Sequence, residues 1–185
     1  MQDPNPFLGD MLVLLGALGV LAGLAGLCFP GAARAGLSAF PRSRWPGWIL
    51  TAVGVGWVSW VIAHAALGRF EGVKPWIPVL SVASYFAIVY FLDELLAPRS
   101  LGGLLLLLAD PLLDGVRWAD SAWRFVVVLI AYAWVIAGCG LMLHPWLFRK
   151  MAERVLGAAG RLRAICWAKV VGGGVLLAAG LWTLR

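Results

Sequence analysis

Between Met11 and Phe29 the chain runs for nineteen residues without a charge, MLVLLGALGVLAGLAGLCF, and then meets Pro30. At a rise of ~1.5 Å per residue such a helix is about 28 Å long, enough to cross a hydrocarbon core of ~30 Å. Lipid offers no hydrogen-bond partners to backbone N–H and C=O groups, so a chain that repeats this pattern is confined to helices or a closed barrel. The run is continuously apolar rather than alternating, which selects the helix.

The pattern recurs. Gly47–Leu67, Phe125–Leu143 and Ala164–Leu184 are further spans, the last interrupted by Lys169. Ile77–Leu92 is a shorter one, with Pro78 in a first turn where proline is tolerated. Leu101–Leu113, LGGLLLLLADPLL, leaves two readings open. It is a re-entrant half-helix, or the centre of a sixth span from about Leu95 to Val116 that includes Arg99 and Asp110. The expected fold is therefore an all-α integral membrane protein. It is a polytopic bundle of six segments in a single domain, at about 11–29, 47–67, 77–92, 95–116, 125–143 and 164–184. A composition 62% hydrophobic and only 13% charged, with a mean hydropathy of +0.90, fits a chain whose solvent is largely lipid.

Loop charge separates five spans from six. With five, seven Lys/Arg fall on each side. With six, the inside carries nine (Arg34, Arg42, Arg44, Arg99, Arg149, Lys150, Arg154, Arg161 and Arg163) and the outside five. The positive-inside tendency prefers the second arrangement, with both termini outside. The first and last hairpins point the same way. Each is a Gly-rich span, a proline, a basic link (FPGAARAGLSAFPRSRWPG; HPWLFRKMAERVLGAAGRLR) and another span. If these are repeats in one orientation, an even number of crossings lies between them. A shorter echo, Pro41-Arg42-Ser43 and Pro98-Arg99-Ser100, suggests a serine N-cap and an arginine anchored among headgroups at two helix starts.

The net charge of +6 does not suggest nucleic acid, because the basic residues lie in loops between spans and no aromatic-basic patch accompanies them. Arginine in excess of lysine, with abundant Ala, Gly and Leu, suggests a GC-rich bacterial genome and hence an inner-membrane location. The N-terminus lacks a signal peptide's basic start and carries Asp3 and Asp10. Cys28, Cys139 and Cys166 are odd in number and form no CxxC pair, so they read as free packing residues.

Asp110 is the sharpest candidate for function. Counted from a helix start near Ser100 it lies close to the bilayer midplane, and Pro111 beside it is expected to disrupt the helix and free a carbonyl. An acid next to a helix break suits a cation or proton site, whereas the plainer reading is a capping or interfacial residue. Lys169 is a candidate partner for it or a snorkelling lysine. Asp93 and Glu94 are neighbouring acids that hold a metal or proton, or simply form a solvated face. His64 and His144 fall near opposite faces, which argues against one haem held by both. Most of the eleven tryptophans mark interfaces, while Trp57, Trp60 and Trp134 lie deeper. Glycines 16, 19, 23 and 26 and the triplet Gly172-Gly173-Gly174 predict close helix contacts.

No phosphate-binding loop, HExxH or serine elbow is present. The sequence names no cofactor and leaves binding of a lipid, quinone or pigment open. The expected function is a non-catalytic accessory or scaffold subunit of a larger membrane assembly. Its partners are membrane lipids and other subunits or copies of itself. The alternative is a small proton- or ion-coupled transporter or channel that uses Asp110. An enzyme acting on a lipid or quinone is weaker, since no acid–base pair is placed for it.

Overall fold

A computed structural model describes residues 6–92 and 95–184. The described chain forms eight α-helices: α1 (Pro6–Cys28), α2 (Pro30–Ala39), α3 (Arg44–His64), α4 (Ile77–Phe91), α5 (Leu96–Val116), α6 (Arg124–Leu143), α7 (Trp146–Leu156) and α8 (Ala159–Thr183). Six segments are long and apolar enough to cross a membrane, and they match the expected spans: Phe7–Cys28, Arg44–His64, Glu71–Phe91, Leu96–Val116, Arg124–Leu143 and Gly160–Thr183. The third gains length from the 3-10 segment Gly68–Trp76 that leads into α4.

Proline and local backbone geometry punctuate the chain. Phe29 leaves the helical region (φ −125°, ψ 61°), and Pro30 restarts it as the first residue of α2, where its missing N–H is no loss. His144 departs in the same way (φ −130°, ψ 71°), and Pro145 then stands at the N-cap of α7. Both basic links are thus short helices. They lie together, since the rings of Phe40, just after α2, and Phe148, in α7, have centroids 5.1 Å apart. Leu95, before α5, holds the left-handed conformation (φ 56°), which is uncommon for a residue with a Cβ.

Small residues set the packing. Gly9, Gly16 and Gly23 of α1, spaced by seven, face Gly180, Gly173 and Cys166 of α8, also spaced by seven. A Cβ on Gly16 would lie 2.7 Å from the Gly173 carbonyl, and one on Gly173 would lie 2.7 Å from the Gly16 carbonyl. As one helix ascends the other descends, so α1 and α8 are antiparallel and nearly in backbone contact. A second antiparallel seam joins α5 to α6. Gly102 and Gly138 oppose each other, each Cβ position 2.7 Å from the other's carbonyl, and Ala109 and Ala131 are buried further along. Helix α3 runs parallel to α5, with Gly47 against Leu96 and Ala97, Thr51 against Ser100, and Gly54 against Leu104.

These directions bear on the number of crossings. An antiparallel first and last span requires an even count, and α2 beside α7 puts both basic links at one end. Helix α5 is one continuous 21-residue helix, long and apolar enough to be a sixth crossing. The expected disruption at Asp110-Pro111 does not occur. The helix continues through exposed Pro111, although that residue gives no N–H to the Leu107 carbonyl and its ring crowds the same carbonyl.

The apolar core lies at the end of the bundle that holds both termini. There Leu8, Leu12 and Leu15 of α1 meet Ala109, Leu112 and Val116 of α5, Val127 and Ala131 of α6, and Ala179 of α8. Helix α4 stands apart from this core and packs mainly on α3, where the hydroxyls of Ser59 and Ser81 meet.

Candidate functional site

Because α5 packs on one side of α3 and α4 on the other, the two leave a groove between them with α3 as its floor. Its volume is about 990 Å³. It follows α3 from Leu50 to Ile62, a length of about 18 Å at ~1.5 Å per residue. Apolar side chains such as Trp57, Leu80, Ile88 and Leu107 make most of its wall.

Two ionisable residues line it among the described residues, Arg99 and Asp110, both from α5. They are eleven residues apart, close to three full turns, so they share one face about 16 Å apart along the axis. Asp110 is exposed and has no ion-pair partner among the described residues. It is the fifteenth of the helix's 21 residues, because α5 starts at Leu96 rather than near Ser100. That puts it about 6 Å beyond the middle of the span, toward the end that holds both termini, instead of at the midplane. Arg99 sits in the first turn at the opposite end, partly buried, and its Nε has no hydrogen-bond partner among the described residues.

Hydroxyls sit between the helices. Buried Thr51 Oγ1 lies 2.7 Å from the Gly47 carbonyl and 2.6 Å from Ser100 Oγ, which itself lies 2.8 Å from the Leu96 carbonyl. With one proton each, one hydroxyl donates across to the other, which donates to its own helix. The expected serine caps are absent. Ser43 stands at the N-cap position of α3 but makes no side-chain cap, and Ser100 lies inside α5, tying it to α3. Pro41 and Pro98 are both buried where the 3-10 turn Phe40–Arg42 packs on α5, so the echo reflects one shared contact.

The other candidates are not gathered here. Lys169 is exposed on α8, ten residues or about 15 Å below Ala179, which packs with Ala109 and Leu112 beside Asp110. No described ion pair joins Lys169 to Asp110. Asp93 and Glu94 lie outside the described residues. His64, whose Nδ1 is 2.8 Å from the Trp60 carbonyl, ends α3, and His144 follows α6 at the opposite end of the bundle. Cys28 and Cys139 are exposed, and Cys166 is buried in the α1–α8 seam. Among the described residues no three His, Cys, Asp or Glu side chains converge as a metal site would require.

Sequence reasoning missed Thr51 and the placing of Arg99 in the groove. The eleven-residue interval from Arg99 to Asp110 was a signal for the second; nothing local marked the first. What the groove can do is hold something elongated and apolar, with a cation at one end of its wall and a carboxylate toward the other. One carboxylate with no neighbouring acid or base does not make an acid–base pair. No protein-family model, curated protein or solved structure matches the chain.

Proposed function

We propose that this chain is a non-catalytic subunit of a larger membrane assembly, and that Asp110 pairs within the bilayer with a cation supplied by a partner. The observation that supports this most is Asp110 itself. A carboxylate in a span costs about 2.5–3.5 kcal/mol on insertion scales unless it is paired, solvated or protonated. Here it is exposed at the groove wall, with no cation among the described residues paired with it. The loosely attached α4, whose outward Val79, Val82, Phe86 and Tyr90 are all more than half exposed, adds surface for such contacts.

The same reading places the basic end, with α2 and α7, in the cytoplasm of a bacterial inner membrane and both termini outside. Nine Lys/Arg against five support that orientation. It takes α5 as a full crossing rather than a re-entrant segment. It also takes the shared order of α1–α2–α3 and α6–α7–α8 as the trace of a duplicated hairpin. The packing has since diverged, for α1 lies along α8 while α6 lies along α5.

The test is native electrophoresis after gentle solubilisation of the source membrane. The wild type is expected in a complex heavier than a homodimer of the 19.8 kDa chain, and Asp110→Asn is expected to release it. Wild-type protein that runs only as monomer or homodimer contradicts the proposal. One observation favours the transporter reading: Pro111 leaves the Leu107 carbonyl without its helical donor in the same groove as Asp110, a pairing suited to a cation. Proton or cation flux into liposomes tests it, since equal, non-zero flux in wild type and Asp110→Asn removes Asp110 from any coupling mechanism.

A further inference from the structure

We infer that the end of the groove around Arg99 is a binding site for an anionic phospholipid, with its headgroup at Arg99 and one acyl chain lying along α3 past Trp57. This does not depend on the assembly reading, which concerns Asp110 at the other end. Arg99 is in the first turn of a span, at headgroup depth, where it lines an apolar groove, partly buried, with its buried Nε unpartnered among the described residues. A guanidinium there favours a phosphate, whose oxygens accept paired N–H donors. The wall beyond it is apolar for most of the depth of one leaflet, which suits a hydrocarbon chain and leaves little for a polar solute. The Thr51 and Ser100 hydroxyls beside it are uncharged and engaged with each other and with helix carbonyls, so they add no competing charge. Arg42 lies on the 3-10 turn that packs against the start of α5, which strengthens the positive field at this end.

Gly103 provides a way to fill the groove without disturbing the helices. It lines the cavity, and a Cβ there meets no atom within 4 Å. The experiment uses the full chain in nanodiscs containing either phosphatidylglycerol or phosphatidylcholine with brominated acyl chains, at equal mole fraction in an unbrominated zwitterionic background. The readout is quenching of Trp57, taken as the difference between each protein and its Trp57→Phe counterpart. The anionic lipid is expected to be preferred on the order of fivefold, as for one arginine near an anionic surface. Arg99→Gln is expected to remove the preference while chain quenching persists, and Gly103→Phe to remove quenching by both lipids. Equal quenching by the two lipids in the wild type overturns the site, as does a preference that survives Arg99→Gln. No quenching by either lipid also overturns it, because the groove is then closed to lipid by protein. Native mass spectrometry of retained lipid in wild type, Arg99→Gln and Gly103→Phe gives a second measure that does not rely on the tryptophan substitution. Equal retention of the anionic lipid in all three would equally contradict it.

Discussion

At the scale of single residues, the chain is governed by where a Cβ is allowed. Gly16 and Gly173 meet across the α1–α8 seam with no room for a methyl group, whereas Gly172 one position along opens onto free space. Gly16→Val is therefore expected to part the helices and to cost at least the ~1–3 kcal/mol typical of overpacking. Gly172→Ala should leave stability unchanged or raise it by up to ~1 kcal/mol, since alanine is the better helix former. Thermal unfolding in one detergent, followed by circular dichroism, compares the two. The glycines were legible in sequence as signs of close packing. Their partners were not, because the pairs join residues at least 140 positions apart and nothing in either span alone names the other. Thr51 was hidden for a similar reason: its neighbour Ser100 belongs to a helix 49 residues away. Thr51→Ala is expected to cost about 0.6 kcal/mol, the average for hydrogen bonds between spans, in the same unfolding measurement.

At the scale of elements, α5 departs most from its sequence pattern. Asp-Pro in a short apolar run reads as a break, yet the helix continues for a further turn and more. Proline disturbs one hydrogen bond and crowds one carbonyl, while packing against α3 and α6 along the rest of the helix keeps it helical through Pro111. The cost is the unpaired Leu107 carbonyl. Pro111→Ala restores the donor, so slower amide exchange around residues 107–111 and a higher unfolding temperature are expected. A lower unfolding temperature would mean that the proline is favoured by contacts the account does not include. The proline-led starts of the basic links account for their becoming α2 and α7. What no link shows by itself is that the two pack together through Phe40 and Phe148. That contact depends on how many spans lie between them.

At the scale of the whole molecule, three relations agree: α1 against α8 in opposite directions, α3 alongside α5 in the same direction, and α2 beside α7 at one end. All three hold for six crossings, and the first and third fail for five. Loop charge pointed to six through a global asymmetry, while the helix directions follow from backbone-to-backbone packing, so the two arguments are independent. Hydropathy alone was ambiguous because α5 carries Arg99 and Asp110, the groove residues that lower its apolar character. The most direct test is labelling of single cysteines with a membrane-impermeant thiol reagent, in a background with Cys28, Cys139 and Cys166 replaced by alanine. The positions are Ser38→Cys, Ser121→Cys and Ala158→Cys. Six crossings predict that positions 38 and 158 react from one side and 121 from the other, whichever side faces the cytoplasm. Positions 38 and 121 reacting together, with 158 opposite, would leave α5 outside the count of crossings and contradict the account.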